Sequence, residues 1–210
     1  MTYRTTFAAG TLLHDEARCV LRAAGPDGTL DDVSPEVLDI NSAAGRERRL
    51  LEVKRRLQNV EPRIWADLLT LSPAEQRVVL YYACMKTYAL VRDIHMNAVL
   101  PAWRSIVQSL GAVDIQRVLD AQANTHPEID TWSPETYDKV QQVVRRMLSE
   151  VGLLQGAELQ RIQLPYTFWA RFARVGDVWF LEAMFLNKEE RAAAISAAQT
   201  PGNASAGEVP

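Results

Sequence analysis

The sequence predicts an all-α protein, a compact helical bundle with at most a short strand pair near its C-terminal third. Three observations carry this. Ser-Pro pairs, each followed by an acid, mark helix starts at three places in the chain. Long segments repeat apolar residues at spacings of three and four, the period of one helical face. Finally, 48% of the 210 residues are hydrophobic, enough to bury one large core or two small ones.

A first helix begins near Thr11 and ends at Gly25-Pro26, and the acidic stretch from Asp27 to Asp32 forms the turn after it. Ser34-Pro35-Glu36 marks the next start. Between Gly45 and Val60, the residues Leu50, Val53, Leu57 and Val60 form one stripe, with Arg48 and Arg55 opposite. Ser72-Pro73-Ala74-Glu75 opens a helix to about Ala98 that is too apolar around its girth to lie on the surface, so it is the central core helix. Tyr82, Met85 and Leu90 are expected to be buried on it. Pro101 breaks or kinks that path, and Gly111 closes the short helix that follows.

Asp114 to Ala123 reads as another helix and Asn124 to Ser133 as a loop. Ser133-Pro134-Glu135 then starts a helix whose stripe is Tyr137, Val140, Val144, Met147, Leu148 and Val151, with Gly152 as its stop. Glu158 to Leu164 alternates enough for a short strand, a further helical turn being the alternative. Trp169, Phe172, Trp179, Phe180 and Phe185 crowd an aromatic C-terminal third. The chain reads as one helical domain over residues 1–198 with loose halves 1–111 and 112–198, and residues 199–210 as a disordered tail.

Composition narrows function. The apolar run Val78 to Met85 stops at Lys86, far short of the ~20 residues of a membrane span. Cys19 and Cys84 sit among apolar residues and read as small buried hydrophobes, which with the lack of an export signal points to the cytoplasm. His14, His95 and His126 have no ligand spacing and the cysteines are 65 positions apart, so neither metal nor cofactor is expected. His14-Asp15-Glu16 resembles an acid-base trio, but successive helical residues point about 100° apart and do not converge on one substrate. With no phosphate loop or nucleophile elbow, no catalytic residue is assigned.

The informative element is the run from Arg46 to Arg56. Arg46, Arg48, Arg49, Lys54, Arg55 and Arg56 stand against Glu47 and Glu52, a local charge of +4 in a molecule of −3. Such a helix can lie along phosphates; the alternative is a solvated face on which the two glutamates pair the arginines. Arg145 and Arg146, with Arg161, Arg171 and Arg174, form a second basic concentration. If the fold brings the two sets together, they make a nucleic-acid surface. Tyr81, Tyr82 and Tyr88 could stack bases, but their place in the most apolar helix points to core packing.

Thr11-Leu12-Leu13-His14-Asp15-Glu16, the basic helix after Asn41, the stretch from Leu80 to Asp93 and the stretch from Arg145 to Leu154 resemble the BrxA family of the BREX bacteriophage-exclusion systems. The resemblance spans roughly Thr6 to Ala194, and the aromatic region and tail match least. It implies a compact all-helical protein with a fold similar to the NusB RNA-binding antitermination factors and a capacity to bind DNA. It also implies an accessory place beside a methyltransferase, an ATPase and a phosphatase-like protein. The leading expectation is therefore a non-enzymatic component that binds double-stranded DNA through phosphates, with little sequence preference. Adaptor binding to other BREX proteins and RNA binding are the alternatives.

Overall fold

A computed structural model describes Tyr3, Phe7, residues 10–25 and residues 29–200. The described residues are all-α apart from one hairpin. Helices α1 (His14–Ala24), α2 (Ala43–Gln58), α3 (Pro73–Thr87), α4 (Ala89–Ile94), α5 (Leu100–Arg104), α6 (Ala112–Ala123) and α7 (Pro134–Val151) precede the two-residue strands β1 (Leu154–Gln155) and β2 (Glu158–Leu159). Helices α8 (Tyr166–Arg174), α9 (Val178–Ala183) and α10 (Lys188–Gln199) follow. Two compact units divide between Ile162 and Gln163, not near residue 111. The halves join because α7 packs on α3 and α6 on α4, which commits residues 112–151 to the same core as the N-terminal helices.

In the first unit α3 touches α1, α2, α4 and α7, and its residues Val78 to Met85 are all buried, as its uniform apolarity predicts. Ser72 caps it reciprocally: Glu75 N–H donates to Ser72 Oγ at 3.4 Å and Ser72 N–H to Glu75 Oε2 at 2.8 Å. Tyr82, Met85 and Leu90 are buried, and so are Tyr81 and Tyr88, which ends the base-stacking alternative. Tyr81 Oη lies 2.7 Å from Nδ1 of the enclosed His95, a core pairing.

The expected helix to Ala98 is instead interrupted at Tyr88, whose backbone turns extended (φ −119°, ψ 102°). There its hydroxyl donates to the buried Glu52 carboxylate of α2, and this tertiary bond overrides local helical propensity. A π-turn over His95–Val99 then precedes α5. Pro101 accounts for it, because its ring clashes with the carbonyl of residue 97 in a regular helix and a wider turn relieves the crowding.

Two local signals resolve differently from expectation. Ser34-Pro35-Glu36 starts only a 3₁₀ turn, Pro35–Val37, since Leu38 is extended and the next α-helix has its own cap in Ser42. Gly111 opens α6 rather than closing α5, its N–H donating to Asp114 Oδ2 at 2.8 Å. The short strand pair expected around Glu158 to Leu164 is present as a tight hairpin pairing Leu154 with Leu159 and Gln155 with Glu158, beside which Ser109 forms a bridge to Glu158. Gly156 in its turn has φ +62°, which only glycine adopts without strain. Helix α7 has the predicted bounds, and Gly152 ends it in the left-handed region at φ 90°.

The second unit packs α8 on α10, with Phe168, Trp169, Phe172 and Phe180 buried. The aromatic crowding is thus core: Phe172 and Phe180 lie 4.7 Å apart between ring centroids. Arg171 stacks over Phe168 at 4.8 Å, and Arg174 donates to Ala197 O at 3.3 Å. Among the described residues no helix is long and apolar enough to cross a membrane. The acidic turn at 27–28 and the tail at 201–210 lie outside the described residues.

Candidate nucleic-acid interface

Helix α2 carries most of the expected contacts, and its packing settles which ones can reach solvent. Leu50, Val53 and Leu57 face the core, yet Glu52 and Arg56 are buried beside them. Arg56 is 2% exposed. Its guanidinium donates to Glu52 Oε1 at 2.7 Å, to Gly10 O at 3.2 Å, to Cys84 Sγ at 3.1 Å and to Thr11 O. Burial disfavours that charge, but the facing Cys84, Glu52 and Tyr88 groups outweigh it and hold the guanidinium protonated. Arg56 therefore cannot meet phosphate. A 3.6-residue period puts it one turn from Glu52, so the pair enters the core together as a salt bridge.

Other bases of the run are also committed within the molecule. Lys54 Nζ donates to Asp31 O and Val33 O, both at 3.0 Å, strapping the 3₁₀ turn Leu30–Asp32 onto α2. Arg46 donates to Ile40 O at 2.7 Å and holds the approach to the helix. Arg55 pairs with Glu52 Oε2 at 3.4 Å. Arg48 is exposed, with its Nε 3.3 Å from Ala44 O. On α7, Arg145 donates to Leu110 O at 2.5 Å and Gly156 O at 2.9 Å, pinning the hairpin turn to the preceding loop, which makes it structural.

Arg49 and Arg146, one from each basic set, do come together. Both line a cleft of about 600 Å³ built from residues 10–13, the first turn of α1, α2, α3 and α7. Arg77 of α3 and Lys139 of α7 line it too, so three helices aim four bases into one recess. Lys139 and Arg146 share a face because they are seven residues apart, two helical turns. That spacing could have revealed Lys139. Arg77 carried no such signal, being a single base at the start of an apolar helix.

The acids of the cleft are largely engaged. Glu150 accepts from Thr11 Oγ1 at 2.7 Å, Leu12 N–H at 3.1 Å and Arg146 Nε at 3.1 Å, tying the loop before α1 to α7. Glu16 faces Arg49 at 3.7 Å, and Asp15 lies 3.3 Å from His14 Nδ1. The other edge of His14 is 2.8 Å from Gln76 Oε1, while Gln76 Nε2 donates to Leu71 O at 2.8 Å. The amide thus offers its oxygen, so His14 Nε2 is the donor.

Arg77 and Lys139 are exposed, and among the described residues neither side chain has an ion pair or hydrogen bond. Leu13, buried at φ 56°, turns the chain into α1 without a side-chain cap. The N–H groups of His14, Asp15 and Glu16 consequently lack an acceptor among the described residues and add the positive end of a helix dipole to the cleft. Among the described residues no group of three His, Cys, Asp or Glu side chains could hold a metal ion.

A solved structure described as that of an uncharacterized protein from Magnetospirillum magneticum shares the fold. Its TM-score is 0.73 at 17% identity, covering 88% of this chain and 98% of that one. No curated protein matches the chain. The BrxA family model matches residues 1–167, a span that holds every residue lining the cleft.

Proposed function

The chain belongs to the BrxA family, and from that membership we propose that this BREX-associated protein binds double-stranded DNA through its phosphates in the cytoplasm and performs no chemistry itself. The observation that supports the reading is the convergence of Arg49, Arg77, Lys139 and Arg146 on one cleft, two of them without counter-charge. With a net charge of −3 the molecule as a whole does not attract DNA, so the reading rests on this local concentration of bases. Each base that neutralises a phosphate releases counterions, and such contacts carry no sequence information.

Polarisation binding of a random-sequence duplex across a salt series tests this. Four phosphate contacts predict that log affinity falls against log salt with a slope of about −3 to −4, with little change between sequences. Absence of DNA binding at the lowest salt would sink the proposal.

A second reading, docking of a protein partner, has its own observation. Ile106 and Val107 are 104% and 76% exposed on a loop whose backbone is fixed by Leu159 N–H donating to Gln108 O at 2.9 Å and by Leu110 N–H donating to Ala157 O at 2.8 Å. A rigid loop presenting two apolar side chains suits an apolar pocket on another BREX protein. The double change Ile106→Asp and Val107→Asp separates the readings: the adaptor reading predicts loss of partner capture, the DNA reading unchanged duplex affinity.

A further inference from the structure

We infer that the cleft seats a phosphate monoester, the terminal phosphate of a nucleic-acid strand or of a nucleotide, in preference to the diester chain. The inference rests on the reading of this cleft as a nucleic-acid contact. A flat run of bases on one helix would suit a continuous backbone, which is how the sequence alone presents Arg46 to Arg56. The fold dismantles that run and replaces it with a recess. Arg49 comes from α2, Arg77 from α3, and Lys139 and Arg146 from α7, so the donors stand on different walls. Donors on several walls can serve three oxygens of one group at once, whereas a diester offers only two free oxygens and needs its chain to pass through.

Size and charge agree. A volume of about 600 Å³ lies in the range of pockets for small ligands and holds a nucleotide unit. A duplex body is too wide to enter and can only lay its phosphates against the bases at the opening, while a strand end can go in. A monoester carries a charge of about −1.5 to −2 near neutral pH. Arg77 and Lys139 are two bases that pair with none of the cleft's three acids, since Glu150 faces Arg146, Glu16 faces Arg49 and Asp15 faces His14 and Arg18. His14, Asp15 and Glu16, whose N–H groups have no acceptor among the described residues, line the same space and bring the positive end of the α1 dipole to it.

The test compares five probes with the full chain in polarisation competition: a short duplex with 5′- and 3′-phosphates, the same duplex ending in hydroxyls, the same sequence as a closed circle, dAMP and deoxyadenosine. The phosphorylated duplex should compete about tenfold better than either the hydroxyl-ended duplex or the circle, the size of one or two added charge-assisted hydrogen bonds. R77Q and K139Q, at unchanged thermal midpoints, should shrink that preference toward unity. Competition by dAMP with none by deoxyadenosine supports the site and identifies a free nucleotide as a sufficient source. Equal binding of phosphorylated, hydroxyl-ended and circular DNA, with no dAMP competition, overturns the inference and leaves the DNA reading standing. If no DNA binds but labelled dAMP does, the DNA reading falls and the phosphate site survives. Binding of neither removes both.

Discussion

Arg56→Ala separates the architecture of α2 from its surface role. Arg56 is 2% exposed and its partner Glu52 8% exposed, with 2.7 Å between them. Truncation leaves the Glu52 carboxylate buried with the Tyr88 hydroxyl but without its countercharge, and strips donors from Gly10 O and Thr11 O. Breaking a buried pair from one side costs about 3–5 kcal/mol, and the orphaned carbonyls place this case in the upper part of that range. For a chain of this size each kcal/mol is worth about 2–4 °C, so a loss of about 4–5 kcal/mol should lower the melting temperature by about 8–20 °C. Circular dichroism melts measure it, with Arg48→Ala, on the exposed face, as a control expected within about 0.5 kcal/mol of wild type. Removing both charges as Glu52→Gln with Arg56→Met should cost clearly less than the sum of the single changes, because no uncompensated charge remains. A loss below about 1 kcal/mol for Arg56→Ala would refute the reasoning.

Three further outcomes follow from the fold. Leu90→Ala should lose about 2–5 kcal/mol in urea denaturation, since Leu90 is 1% exposed; a loss under about 0.5 kcal/mol would mean that the site collapses freely or that α4 is misplaced. Arg145→Ala removes two charge-assisted bonds and should cost about 1.5–3 kcal/mol, with faster hydrogen exchange at Leu110 and Leu159 than at α3; uniform exchange would deny that the arginine pins the hairpin. The Tyr3 N–H, 2.7 Å from Glu128 Oε1, and His126 beside it hold the Glu128 carboxyl below the usual carboxylate range. A depressed acid contributes stability above its ordinary pKa and loses it as pH falls through the folded value. Glu128→Gln should therefore flatten the acid limb of a thermal midpoint series, and an unchanged limb would contradict the bond.

The sequence carried most helices because their signals are local: Ser72-Pro73 and Ser133-Pro134 cap α3 and α7, and Gly152 ends α7, as the residues alone predict. It failed where distant residues decide. Tyr88 breaks a helix because of Glu52, 36 positions away, and Arg56 leaves the surface because Gly10, Thr11, Glu52 and Cys84 supply its partners. Charge counting could not distinguish Arg56 or Arg145, which hold the fold, from Arg49 and Arg146, which line the cleft. Nor could it place Arg77 and Lys139 in one cleft, two single bases on different helices that line it only through the packing of α3 on α7.

The central claim, that the cleft bases rather than Arg48 and Arg55 of α2 carry DNA affinity, is tested most directly by the salt dependence of one double variant. Arg77→Ala with Lys139→Ala removes two bases that have no ion pair or hydrogen bond among the described residues, so the protein should keep its melting temperature. Its slope of log affinity against log salt should flatten by about 2, while Arg48→Ala with Arg55→Ala should change it by less than about 0.5. An unchanged slope in the cleft variant, with a flattened slope in the α2 variant, would contradict the account.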